Sequence, residues 1–253
     1  TRTKPPHHPP HTAALTQRVL VIDLDPQNST SFHFVTKSEP KNIANALHHA
    51  NIQDTIIKNV GINIDICQSD LALLTQRAMP THLLRRLLAT VSEQYDFCII
   101  DTAPTWDNIV INGLRSADLI IYPVTTKSTF SIKTSSFFRE IADAECPEIL
   151  DRYAILLNRY KDGKETGQYV DEYMKHHTQF FESHLHETAQ VKAAIDYGKT
   201  VTNSTSFDVL YPFLCSLSRE IFEYFGLEAP ERIRESNLVA PPMPVAENIM
   251  EKA

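Results

Sequence analysis

Apolar runs without polar alternation recur along the chain, several of them ending in an acid. RVLVID (18–23), FCIID (97–101), DLIIYPV (118–124) and YAILLNRY (153–160) are the clearest. Runs of this kind suit strands buried on both faces, as in a parallel sheet. GINIDIC (61–67) and FFESHLH (180–186) add two further predicted strands. Between the strands the apolar period changes. Leu83, Leu84, Leu87, Leu88 and Val91 recur at helical spacing within residues 81–94. Shorter helical patterns cover 41–50, 107–117, 131–145, 166–177, 188–197 and 212–225. Strand and helix thus alternate, which predicts an α/β fold: a doubly wound, mostly parallel sheet flanked by helices. In such sheets ligands bind beyond the carboxyl ends of the strands, and Asp23, Asp25, Asp101 and Asn158 fall at or just past those ends.

Composition narrows the picture. The chain has 253 residues, 42% hydrophobic and 22% charged, enough for one large core. No run approaches the ~20 apolar residues that span a bilayer. The first residues carry Arg2 and Lys4 but no apolar stretch of a secretory signal. Cys67, Cys98, Cys146 and Cys215 are scattered, with no C-x-x-C pair; they read as reduced, mostly buried thiols of a cytoplasmic protein. A net charge of −7 argues against a strongly basic nucleic-acid binder. Residues 1–17 read as an irregular arm, because Pro5, Pro6, Pro9 and Pro10 forbid a helix or central strand. Its three histidines lack a carboxylate or cysteine to complete a metal site. Residues 18–226 form the expected domain and 227–253 a proline-rich tail.

Two segments carry chemistry. In VLVIDLDPQNST (19–30) a buried strand delivers Asp23 and Asp25 to its tip, and Pro26 to Ser29 turn the chain. Carboxylates there can hold Mg2+ through water or orient an attacking water. In YDFCIIDTAPTWDN (95–108) four apolar residues precede Asp101, the Walker-B pattern of a carboxylate presented to a phosphate-bound metal. An acid after a buried strand is common, and a solvated strand end explains either one alone. The two together, within one α/β pattern, are more specific.

These segments resemble the deviant-Walker ATPases of the ParA/MinD group, in particular the ParA-like branch with its Asp-x-Asp-Pro-Gln run. VLVIDLDPQNSTSF carries that run. YDFCIIDTAPTWDNIVINGLRSADLIIYPV is similar to the family's Walker-B segment, its following helix and its next strand. NIDICQSDLALL and ETAQVKAAIDYGKTV are similar to two further family segments, with Gln68 where the family often has proline. The resemblance extends from about Arg18 to Phe225 and implies an ATPase that uses ATP and Mg2+ and dimerises around the nucleotide. By position, it implies that Asp25 activates the attacking water near the metal and that Asp101 holds Mg2+ through water. Thr102 would open the loop that senses the terminal phosphate, and Asn158 would contact the adenine. His186 would line the other side of the base, at a position where the family carries proline.

One part of the pattern is not found. The family's first strand leads into a K-G-G-x-G-K-[ST]-[ST] loop whose N–H groups wrap phosphate. Residues 1–17 hold no glycine and no such loop, so the first strand and the P-loop are expected to be missing through truncation or a frame shift. Gly198-Lys199-Thr200 matches only the loop's ending, and it follows a helical pattern.

The function expected is ParA-like partitioning or positioning of a DNA, plasmid or other cargo, by ATP-dependent dimerisation and hydrolysis, impaired if the loop is lost. The alternative is a pseudo-ATPase adaptor acting through the dimer face. Expected partners are a second copy, a ParB-like or cargo adaptor protein and non-specific DNA, the last through Lys127, Lys133, Arg139, Arg159, Lys161 and Lys164, though at a net charge of −7 scattered surface charge is the favoured explanation of any one of these residues. No membrane partner is expected, because the last residues show no basic amphipathic face.

Overall fold

The computed structural model describes residues 17–35, 40–125, 129–160, 163–187, 207–230 and 233. The chain divides into two compact units, residues 1–117 and 118–253. The predicted helix at 188–197 and nearly all of the 1–17 arm and the 227–253 tail lie outside the described residues.

The first unit holds β1 (Val19–Asp23), β2 (Ile56–Gly61), β3 (Ile64–Cys67) and β4 (Phe97–Asp101), in the spatial order β2-β3-β1-β4. β1 runs parallel to both neighbours, with Val19 opposite Ile64 and Phe97 and Asp23 opposite Asp101. That central place explains the unbroken apolar run: Leu20, Val21 and Ile22 are all buried. β2 was not anticipated. Lys58 and Asn59 interrupt its apolar pattern, and it pairs antiparallel to β3 with a register shift between Ile57 and Gly61.

Four helices accompany this sheet: α1 (Ser29–Phe34), α2 (Ile43–His49), α3 (Leu83–Ala89) and α4 (Asn108–Ser116). The turn expected over Pro26 to Ser29 is one residue shorter, because α1 begins at Ser29 with Asn28 as its cap. A reciprocal capping box starts α2: the Asn42 side chain accepts from the Asn45 amide, and the Asn45 side chain accepts from the Asn42 amide. α3 is shorter than its apolar spacing suggested. Leu20, Ile22 and Leu24 pack with Ile43 and Leu47 of α2, Leu84 and Leu87 of α3 and Ile109 of α4. Each such side chain contributes roughly 1.5–3 kcal/mol by leaving water. Inside this core, Asn112 joins α3 to α4. Its Oδ1 accepts from the Leu84 amide at 3.0 Å, and its Nδ2 donates to the Pro80 and Asn108 carbonyls.

The second unit holds β5 (Ile120–Thr125), β6 (Tyr153–Tyr160) and β7 (Phe180–His186), parallel and in that spatial order. α5 (Thr129–Glu145), α6 (Lys164–His176) and α7 (Phe207–Tyr224) complete it. α7 begins earlier than predicted, so Pro212 lies inside it. Glu220 of α7 accepts from the amides of Glu182 and Ser183, each at 2.7 Å, and so caps part of the β7 edge. His177 closes the helical pattern predicted over 166–177, but it is buried just past α6, its Nδ1 3.0 Å from the Tyr153 hydroxyl and its Nε2 3.0 Å from Ser135 Oγ. Burial pushes this imidazole down to about 4. Cys67, Cys146 and Cys215 are buried as expected, but Cys98 is exposed. Among the described residues, no helix is long and apolar enough to cross a membrane.

Candidate functional site

In the first unit, parallel register sets the tips of β1 and β4 side by side, Asp23 opposite Asp101. Asp23 is fully buried. Its Oδ1 accepts from the Asp25 amide at 3.0 Å, and its Oδ2 accepts from the Ser31 amide at 2.8 Å and Ser31 Oγ at 2.7 Å. Burial pushes its carboxyl above the ordinary value. The Ser31 and Asp25 hydrogen bonds act in the opposite direction, and the neighbouring Asp101 adds to the rise. Asp23 is therefore a fastener. It holds the segment from Asp25 to Ser31 in place.

Asp25 is half-buried and more open. Its carbonyl accepts from Ser69 Oγ at 2.6 Å, and its Oδ1 accepts from the Gln27 amide at 2.9 Å. The Ser69 amide donates in turn to Ser31 Oγ, binding the end of β3 into the same network. Asn28 takes the left-handed backbone conformation, with φ of 59°, that lets α1 begin at once after the turn. α1 then presents Thr30, whose Oγ1 donates to Asp101 Oδ2 at 2.6 Å.

The arrangement at the strand tips is thus two hydrogen-bonded groups, Asp23 with Asp25, Ser31 and Ser69, and Thr30 with Asp101, which meet at the adjacent residues Thr30 and Ser31. It leaves Oδ2 of Asp25 and Oδ1 of Asp101 with no hydrogen-bond donor among the described residues. Hard carboxylate oxygens of this kind suit Mg2+, which keeps most of its waters and takes only one or two protein carboxylates. No cluster of three or more His, Cys, Asp or Glu side chains able to cage a metal is found among the described residues. The donor set therefore fits a hydrated Mg2+ and does not fit a structural metal.

Thr102 follows Asp101 and opens the loop to α4. Asp107 closes that loop as the helix cap, accepting from the amides of Ile109 and Val110, and it pairs with Arg77 at 3.3 Å. α4 sits close against the two strand tips. A Cβ on Gly113 would lie 3.0 Å from Thr102 Cγ2 and 3.2 Å from Leu24 Cδ1, so glycine permits the approach.

Asn158 and His186 belong to the second unit. Asn158 is opposite Thr125 and Leu185, two residues before the end of β6, and its Oδ1 accepts from the Arg159 amide. His186 ends β7, with its ring centroid 4.7 Å from Phe213 and 5.1 Å from Tyr160. The Tyr160 ring meets His186 edge-on and Phe213 is tilted against it, and the amide of Asn158 is a polar group on the neighbouring strand. Of the cations considered for DNA, Arg159 pairs with Glu187 at 2.7 Å and Arg139 donates to the His176 carbonyl. Lys127 and Lys161 lie outside the described residues. The sequence reading singled out Asp25, Asp101 and Thr102 in the first unit but not Thr30, Ser31 or Ser69. Their one available signal was a hydroxyl in the segment just past a buried strand.

The fold is that of the ParA-type P-loop nucleoside triphosphatases. It superposes on a Cyanothece McdA variant in complex with ATP (TM-score 0.71, 20% identity, covering 87% of this chain and 89% of that one). It also superposes on a plasmid partition protein of Borrelia burgdorferi B31 bound to AMPPNP (TM-score 0.68, 22% identity, covering 83% and 90%). The family model described as AAA domain matches residues 11–145, and the chain belongs to that family. Its relatives are of the ParA/MinD-like kind. It is 28% identical over 234 residues to the maintenance of carboxysome distribution protein A of Synechococcus elongatus, covering 85% of this chain and 89% of that protein. It is 30% identical over 121 residues to the sporulation initiation inhibitor protein Soj of Bacillus subtilis, 44% of this chain and 48% of that protein.

Proposed function

We propose that the chain is a ParA-like positioning ATPase, which binds Mg-ATP, pairs with a second copy and hydrolyses the nucleotide as it distributes a cargo. The observation that carries this reading is the set of hydrogen bonds that fixes Asp25 and Asp101 separately and leaves one oxygen of each without a donor among the described residues. Relatives whose names describe carboxysome distribution and structures titled as plasmid partition and ATP complexes support it.

In this reading Asp101 would hold Mg2+ through its waters, and Thr30, which donates to Oδ2, fixes the carboxylate and leaves Oδ1 for that role. Bound Mg2+ would supply charge neutralisation at the phosphates. Asp25 accepts a hydrogen bond from the attacking water and orients it. Asp23, buried and consumed by three donors, takes no part in the chemistry and positions Asp25. Thr102 begins the segment that responds to the terminal phosphate, with its far end held by Asp107 and Arg77. Asn158 and the His186 ring supply the polar and flat contacts for a purine base. A cargo adaptor and non-specific DNA are the partners of the positioning activity.

The test is calorimetry with Mg-ATP followed by a phosphate-release assay. Binding and hydrolysis are expected for the chain, and Asp25→Ala is expected to keep binding while hydrolysis falls by about a hundredfold or more, the scale of losing a transition-state contact. Absence of binding at millimolar nucleotide overturns the ATPase reading for this chain.

A further inference from the structure

In the second unit, α5 (Thr129–Glu145) has two unlike faces. Ile132, Ser135 and Ala142 are buried. Phe130, Lys133, Phe137, Glu140 and Ala144 are all exposed, and their alternating spacing of three and four residues sets them along one seam of the helix. Phe130 is 76% exposed and Phe137 59%. A single exposed aromatic is ordinary; two in line on one helix face, two turns apart, mark a surface made for contact. Between them on the seam sits Lys133, and beyond Phe137 sits Glu140. Neither charge has an ion-pair partner among the described residues.

A groove of about 800 Å3 runs beside this seam, between α5 and α6. Ile132, Ser136 and Phe137 line it from α5, and Tyr169, Glu172 and His176 from α6. Glu172 is already matched by Lys175 and faces His176 on its own helix. Lys133 and Glu140 are therefore the charges of this face that are left for a partner.

We propose that the seam pairs with the same seam of a second copy, α5 packed antiparallel on α5 about a two-fold axis beside Ser136 and Phe137. The charge pattern selects both the occupant and its direction. Lys133 and Glu140 are seven residues apart, about 10.5 Å along the helix. Antiparallel pairing sets Lys133 of each copy against Glu140 of the other, and two-fold symmetry makes that contact twice. Parallel pairing would set lysine on lysine and glutamate on glutamate. In the antiparallel arrangement Phe137 of each copy lies beside Ser136 of the other, whose small side chain lets the ring enter the groove over Ile132. Phe130 reaches the far end of the other seam, at Asp143 and Ala144. The pairing uses no residue of the acidic strand tips. It stands apart from the nucleotide-dependent pairing proposed above and does not rest on the ATPase reading.

Sedimentation equilibrium of the full chain without nucleotide tests it. The average mass is expected to rise toward twice that of one chain between about 1 and about 200 µM protein. Lys133→Glu and Glu140→Lys, each at an exposed position, are each expected to weaken pairing at least about tenfold, because each opposes like charges across the axis. The double reversal, Lys133→Glu with Glu140→Lys, restores opposite charges and is expected to recover pairing to within about threefold. Phe137→Ala is expected to weaken it about tenfold or more. A chain that stays monomeric throughout that range overturns the proposal. So does a dimer that both single reversals leave unchanged, or one that the double reversal fails to restore. A dimer that forms only with Mg-ATP also overturns it, and places the pairing at the nucleotide instead. Pairing without nucleotide in a chain that does not bind Mg-ATP leaves this inference standing while the ATPase reading fails.

Discussion

Asp23 and His177 are two buried titratable groups with opposite consequences for stability. The Asp23 carboxylate accepts from Ser31 twice and from Asp25 once. Asp23→Ala would strand two buried amide donors, and is expected to cost about 1–3 kcal/mol in denaturant unfolding. Hydrolysis is expected to fall as well, because Asp25 loses its anchor. His177 has its pKa lowered from 6.5 to about 4 in the fold. Between those values the unfolded chain binds the extra proton, so this group's contribution is whole above pH 6.5 and is lost as pH falls toward 4. Asp23 is raised in the fold, so the folded chain holds that proton more tightly and acid partly relieves its buried charge. A net loss of stability between pH 7 and 5 that is flattened by His177→Phe, measured by urea unfolding, is the expected outcome. At this scale the sequence revealed the acids. Asp25 and Asp101 follow apolar runs, which is a visible pattern, whereas Ser31, Thr30 and Ser69 sit in turns where hydroxyl residues are ordinary. The burial of His177 was not legible, because α6 ends one residue before it and the chain turns it onto Tyr153 and Ser135.

Elements were legible where the apolar run is unbroken and its ends are marked by polar residues. β4, β6 and β7 begin and end where their predicted runs do. β2 was hidden because an edge strand needs only part of its surface covered, and Lys58 and Asn59 face the open side of that requirement. α1 was hidden by its length of six residues and by a preceding Pro-Gln-Asn cluster that reads as a turn. What α4 contributes is proximity. Gly113→Ala would gain about 1 kcal/mol of helix propensity. The new methyl, 3.0 Å from Thr102, is expected to cost about 1–3 kcal/mol through displacement of the strand tips. A lower melting temperature together with weaker Mg2+ dependence of nucleotide binding is expected. A rise in melting temperature would mean that the loop after Asp101 yields freely.

The whole molecule was expected as one sheet. The described residues form two, each with its own helices, in units that meet at Ala117 and Asp118 in the sequence. Each unit has its own buried residues, from Leu20 and Leu84 in one to Ile155 and Tyr173 in the other. Unfolding is therefore expected to depart from a single two-state transition, and calorimetry should resolve a calorimetric enthalpy larger than the van't Hoff value. The alternation of strand and helix in the sequence revealed the class but not this division, since strand order depends on pairings between distant residues.

The hydrogen bond from Thr30 to Asp101 closes a separation of 71 residues, and the one from Ser69 to Ser31 closes 38. The first needs β4 paired to β1 and the second needs β3 paired to β1, so the tip is whole only when both pairings exist. Parallel pairings of such long separation carry the loop-closure entropy of everything between them and form late and slowly. In time, then, the acidic tip is the last feature of the first unit to take shape. A refolding chain would regain its helices well before it could hold a metal-bound water in line, and recovery of the open carboxylates would report that the sheet is complete.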